Sequence, residues 1–279
     1  MKIALTVALF AGLLGIAAYL LIKPRLQRRR RARLTQQPTP DTVPEILERN
    51  VGLYAILPAA LKAQLHGHIN VFLNEKHFMG LGGQVIDDEV AVTIAGTACL
   101  LLLNRKVTYF PGFESVLVYP TVYEANDLTS EGHIDTESTS HRAGESWHRG
   151  PLVLAWSSAK QGAANAADGY NVILHEFAHK LDEEHNGTNG QPVLHVAGHY
   201  QEWASVLGRE FEAFADRVAR RRNKVMDEYG LTNPAEFFAV ATESFFEKGW
   251  SMRRRLPDLY DQLRKYYAVD PASWGRDKT

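Results

Sequence analysis

Twenty consecutive residues, Ile3 to Ile22, carry no charge and are nearly all apolar. Coiled as a helix they reach about 30 Å, the thickness of a bilayer's hydrocarbon core. Gly12 and Gly15 do not argue against this, because glycine is common in membrane helices. Seven basic residues follow closely (Lys23, Arg25, Arg28, Arg29, Arg30, Arg31 and Arg33), whereas Lys2 alone precedes the run. A cleaved secretory leader carries its charge in front of a shorter apolar stretch; here the charge lies behind. Segment 1–23 is therefore expected to be a single transmembrane anchor at a bacterial-type inner membrane, and the charge bias to leave the rest of the chain in the cytoplasm. Residues 24–43 read as a basic, proline-containing cytoplasmic linker, within which the polar stretch 34–43, with Pro38 and Pro40, reads as a flexible tether. The folded body is then expected over 44–279.

That body is acidic: beyond residue 40 there are 23 basic against 32 acidic side chains. A nucleic-acid-binding domain needs a basic face to neutralise phosphates, so no direct nucleic-acid partner is expected. Cys99 is the single cysteine, which excludes an intrachain disulfide and a cysteine-built metal cage. It reads as a small core residue, and any metal must be held by histidines and carboxylates. Apolar residues recur at helical spacing over 57–78 and 87–103, the second stretch apolar enough for a buried helix. Short β-like runs follow at Val107–Phe110, Ser115–Tyr119 and Leu152–Trp156, with Pro111-Gly112 as a turn between the first two. The polar stretch 124–150 reads as a solvated insertion, or else as a cover over the site bearing His133, His141 or His148. Helical patterns then dominate at Tyr170–Glu184, His199–Lys224, Pro234–Lys248 and Leu256–Tyr267. Asn233 is placed to cap the third of these, with Pro234 in its first turn. The expected class is α+β, mostly helical, with a small β-sheet ahead of the first functional helix.

The chemistry concentrates in Asn171-Val-Ile-Leu-His175-Glu176-Phe177-Ala178-His179-Lys180-Leu181-Asp182. On a helix His175 and His179 stand one turn apart on the same face, so both imidazoles can reach one ion. Zinc accepts neutral nitrogen ligands, and a catalytic site keeps one position for water. Glu176 follows the first ligand about 100° round the helix and can act on that water as general base. This is the HExxH arrangement of zinc peptidases. A helix whose histidines only hydrogen-bond in a core is the plainer reading; the amphipathic frame and the third ligands available downstream weigh against it.

Two sources of a third ligand stand in the chain. His185 completes the spacing of metzincins, HExxHxxGxxH. Yet Asp182 occupies the glycine position where the chain must turn sharply, and neither Met226 nor Met252 sits in a Met-turn setting. The other source is the segment 227–247, where Glu236 and Glu243 are seven apart and share a helix face. One can bind metal while the other holds a ligand histidine by its far nitrogen. Glu247 reads as solvated, or as capping that network. Tyr229 can donate to the oxyanion of a tetrahedral intermediate. Phe237, Phe238, Phe245 and Phe246 imply that the helix is largely buried. The run Leu152–Trp156 is either an edge strand able to pair with extended substrate or an ordinary buried strand. His66 and His68 are two apart on a helical pattern, face different sides and make no joint site.

The stretch DGYNVILHEFAHKLD from Asp168, followed by NPAEFFAVATESFFE from Asn233, resembles the MtfA family, zinc-dependent peptidases named for Mlc titration factor A. Further matching segments are Ile94–Leu100, Leu117–Pro120 and Gly144–Trp156, and the resemblance spans roughly residues 45–270. It implies a zincin-like body with a gluzincin-like site related to that of anthrax lethal factor. By motif position it makes His175 and His179 ligands of one Zn2+, Glu236 the third ligand, Glu176 the base and Tyr229 the oxyanion donor. Glu243 falls behind the ligands, against a histidine. The resemblance also implies a peptide or protein substrate, and a transcriptional repressor such as Mlc as a partner. The amino-terminal anchor departs from the family's soluble pattern.

Overall fold

In a computed structural model the chain is described over residues 2–121, 144–146, 150–185, 187–194 and 196–275, without the side chains of 2–11, 13, 17, 18, 144–146, 185 and 197. Most of the expected insertion over 124–150, with His133, His141 and His148, lies outside the described residues.

Apolar content sorts the helices by depth. In α5 (Asp88–Cys99) every residue from Val92 to Cys99 is buried, and Asp87 caps its start by accepting from Val90 N. Cys99 sits in this core, as expected. Around α5 pack α2 (Thr42–Asn50), α4 (Ala59–Glu75) and, later in the chain, α6 (Trp156–Ala164) and α7 (Val172–Asp182). The short α3 (Gly52–Ile56) joins α2 to α4. The carboxyl-terminal half is helical throughout: α8 (Tyr200–Ala219), α9 (Pro234–Glu247), α10 (Gly249–Arg255) and α11 (Pro257–Tyr267).

Four strands among the described residues form one sheet: β1 (His77–Gly80), β2 (Ser115–Tyr119), β3 (Gly144–Ser146) and β4 (Leu152–Ala155). Their order is β1-β2-β4-β3, parallel except for β3, which runs antiparallel to β4. Val116, Val118, Leu152 and Leu154 are buried on the covered face. The sequence expectation of an α+β, mostly helical body with a small sheet thus holds. One open choice is decided and one detail fails. The run beginning at Leu152 is an inner strand, because β3 pairs along its outer side and itself forms the edge beside α7. The run Val107–Phe110 is no strand: Tyr109 and Phe110 take left-handed backbone (φ 58° and 52°) and turn their rings into the core. Buried Lys76 holds that turn by donating to the Phe110 and Phe113 carbonyls at 2.7 and 2.6 Å. Burial pushes its ammonium down to about 8. Phe72, Phe110 and Phe113 then surround the Phe177 ring of α7, with centroids 5.6, 4.9 and 5.7 Å away.

Within the stretch 24–43, contacts to the body are made at Arg31 and again over 34–37. One helix, α1 (Lys2–Leu34), runs through Pro24, and its end lies on α4. Arg31 forms a two-pronged bond to Glu75 (2.8 and 2.7 Å) and lies 4.8 Å over the Tyr109 ring. Asn70 donates to the carbonyls of Leu34 and Gln37, and Leu34 is buried. Gly67 permits the close approach, since a Cβ there would lie 2.7 Å from the Thr35 carbonyl oxygen. Among the described residues no helix is long and apolar enough to cross a membrane. The anchor expected over 1–23 rests in large part on side chains outside those described; Leu14, Ile16, Leu20, Leu21 and Ile22 of the same helix are exposed.

A partly buried, bidentate ion pair of this kind is worth about 1–2 kcal/mol. Arg31→Ala should therefore speed amide hydrogen exchange about tenfold over residues 26–34 while leaving α5 and α7 protected.

Candidate metal centre

Two asparagine caps deliver the site. Asn171 accepts from Leu174 N at 3.1 Å and starts α7 at Val172, so that His175 and His179 lie one turn apart on one face. Asn233 accepts from Ala235 N and Glu236 N at 2.9 and 3.0 Å, with Pro234 in the first turn of α9 as expected. Glu236 thus projects from the first turn of one helix towards two imidazoles of the other. Its Oε2 lies 3.0 Å from His175 Nε2 and 3.3 Å from His179 Nε2, and the two nitrogens are 3.2 Å apart.

These separations suit a metal. Four ligands about 2.0–2.1 Å from a tetrahedral ion stand about 3.3 Å from one another. Two imidazole nitrogens and a carboxylate oxygen turned to a common point are the donor set of such an ion, and His175, His179 and Glu236 are the one group of this kind among the described residues. Burial alone lowers His175, but its hydrogen bonds to Glu236 and Glu243 prevail and raise it well above the ordinary histidine value. Glu236 is raised by burial, yet its bonds to both imidazoles hold it well below the usual carboxylate range.

Glu243 stands behind the cluster, where one oxygen accepts from His175 Nδ1 at 2.8 Å and the other from Asn171 N at 2.5 Å. A carboxylate in this position keeps the proton on Nδ1 and turns Nε2 to the common point. Glu176 is 4% exposed, and its Oε2 has no hydrogen-bond partner among the described residues. Burial raises its pKa, against the pull of His175, His179 and Lys180. The Tyr229 ring lies 6.0 Å from that of His175. Burial and the charges of Glu236 and Glu176 push its hydroxyl up to about 12, so it retains its proton as a donor. All six expected site residues therefore meet in one place. The alternative ligand His185 has its side chain outside the described residues.

The sequence left open whether Glu247 is solvated or caps the network, and assigned Asn171 and Asp182 no part in it. Asn171 is more than a cap: its amide also donates to Gly162 O and to Glu247. Glu247 is not solvated, since it accepts from Asn171 Nδ2 (2.9 Å) and Gly169 N (3.0 Å). Its spacing of four from Glu243 was the available signal. Asp182, weighed only as a misplaced glycine, is fully buried and accepts from Gly190 N at 2.6 Å.

The family profile described as "Glucose-regulated metallo-peptidase M90" matches residues 25–268 of the chain. Mlc titration factor A of Salmonella gallinarum is 30% identical over 230 residues, 80% of this chain and 84% of its own. The chain belongs to the Mlc titration factor A family of metallopeptidases. Within it, an uncharacterized protein of Synechocystis sp. is 40% identical over 261 residues, 93% of this chain and 95% of that relative. The same titration factor of Salmonella arizonae is matched at 30% identity over 80% of this chain and 89% of its own. The family match begins at residue 25, within the basic stem of α1 rather than at the expected body boundary.

Burial pushes the Glu247 carboxyl up to about 8 from 4.5, with the Glu243 and Asp168 charges adding to the rise. The folded chain binds this proton more tightly than the unfolded chain, so the stability it confers is complete below pH 4.5 and lost as pH rises through 8. In metal-free protein the unfolding midpoint of Glu247→Gln should fall less between pH 5 and pH 9 than that of the wild type.

Proposed function

We propose that the chain is a membrane-anchored, zinc-dependent peptidase that hydrolyses peptide bonds with Glu176 as general base. The observation that carries this reading is the buried, unpartnered Oε2 of Glu176, one residue from a three-sided ligand set. Zinc is the metal that this donor set suits best, two imidazoles and a carboxylate leaving one position open. Bound there, a zinc ion would lower the pKa of the attacking water towards neutrality and polarise the substrate carbonyl.

The chain's own residues supply the rest. Glu176 takes the proton from the attacking water and returns it to the leaving amine; burial, which lifts its pKa towards neutrality, suits it to both steps. Tyr229 keeps its proton and donates to the oxygen on which negative charge develops. Glu243 holds His175 in the tautomer that presents Nε2. The edge strand β3 runs beside α7, an arrangement that suits pairing with an extended peptide.

Anchoring is supported by the uncharged run Ile3–Ile22, with one basic residue before it and seven after, which favours a cytoplasmic body at an inner membrane. A second reading comes from the relatives' name: a regulatory protein that docks a transcriptional repressor of the Mlc kind, with peptidase activity secondary. Docking alone has no use for Glu176, which favours the enzyme.

With peptide substrates, turnover should vanish on chelation and return with zinc. Glu176→Gln should bind zinc and lose nearly all activity. Tyr229→Phe should bind zinc and lose a hundred- to thousandfold, about 3–4 kcal/mol of transition-state stabilisation. Full activity in Glu176→Gln would refute its role as base. In cell fractions, deletion of residues 3–22 should move the chain from membrane to supernatant.

A further inference from the structure

The two histidines are held unequally. His175 has Glu243 on its Nδ1, whereas His179 Nδ1 is buried and has no hydrogen-bond partner among the described residues. A second buried orphan lies nearby: Oδ1 of Asp182, also without a partner among the described residues. Asp182 follows His179 by three positions on α7, so both project from the same side of the helix. The two orphans are chemically complementary. An ion on Nε2 of His179 forces the imidazole proton onto Nδ1, which must then donate; a carboxylate oxygen can only accept.

The other oxygen of Asp182 leads elsewhere. It accepts from Gly190 N at 2.6 Å. Gly190 has left-handed backbone (φ 76°), and a Cβ there would lie 2.5 Å from the Pro234 carbonyl oxygen. Its own carbonyl accepts from Trp203 Nε1 at 2.9 Å. The Gly190 turn is thus wedged between Asp182 and the first residue of α9, two positions before Glu236.

Resting on the metallopeptidase reading, we propose that Asp182 is the positioning carboxylate of His179. When metal is bound it accepts from Nδ1, directly or across one water, and with its second oxygen ties that ring to the start of the helix bearing Glu236. One side chain then aligns two of the three ligands. In this chain the position at which a metzincin needs glycine for its turn is used for ligand support.

The test uses the full-length chain in detergent micelles, with zinc affinity measured by competition with a chelator. Asp182→Asn keeps an acceptor for Gly190 N but turns an amide donor towards His179. It should weaken zinc binding ten- to a hundredfold, alter the visible d–d bands of the cobalt-substituted protein, and leave the unfolding midpoint of the metal-free chain near the wild-type value. Zinc affinity within twofold of wild type would overturn the proposal. Should this variant fold poorly, the wild type decides: nitrogen-15 histidine spectra of the zinc-loaded chain should show a slowly exchanging, downfield Hδ1 on His179. An Hδ1 exchanging as fast as in an exposed imidazole would sink the idea. A wild-type chain that takes up no zinc would defeat the metallopeptidase reading itself, whereas equal affinity in wild type and variant defeats only the role of Asp182.

Discussion

A carboxylate without water around it must find donors, and Glu243 finds its two on a different helix. A buried charge of this kind is costly unless it is hydrogen-bonded. By accepting from both Asn171 N and His175 Nδ1, Glu243 reads the start of α7 and the roll of its first histidine ring together. The same helix α9 supplies Glu236 from its first turn, so the distance between two glutamates on one helix is matched to the distance between a cap and a ring on the other. Slippage by one residue in either helix would break both bonds. The placement of the caps Asn171 and Asn233 is therefore as much part of the site as the ligands.

Aromatic packing carries α7 from the opposite side. Phe177 lies between Glu176 and Ala178 and meets three phenylalanine rings, two of them delivered by the turn at Tyr109 and Phe110. Two consecutive non-glycine residues in left-handed backbone cost roughly 1–3 kcal/mol each. Lys76 offsets that cost by bonding the carbonyls of Phe110, in the bend, and Phe113, just after it. The strain is thus confined beneath the helix, and the ligand face above it is left regular.

The sequence was most legible where one periodicity coincided with one chemistry. His175, Glu176 and His179 on an apolar helix, and the Asn233-Pro234 start of α9, stand where spacing and capping rules put them. Glu236 and Glu243 were recognisable as a pair on a shared face, but the residues alone left open which of them binds metal. Partnership across the fold was invisible. Beyond its spacing of four from Glu243, nothing local distinguishes Glu247 from a surface glutamate, because its partners Asn171 and Gly169 are more than seventy positions away in the chain. The β-branched and aromatic run at Val107–Phe110 misled for a related reason. Its rings serve core packing against Phe177, a tertiary demand that overrides strand propensity. Arginine-rich composition likewise says nothing of a single bidentate partner such as Glu75.

The helix that carries the apolar run continues through Pro24 to Arg31. Ile22 and Arg31 are nine residues apart, about 14 Å of rigid rod, and beyond them Glu75, Asn70 and Tyr109 clamp the rod's end to the body. Whatever holds the far end of that rod therefore bears on the height and heading of the cluster His175, His179 and Glu236.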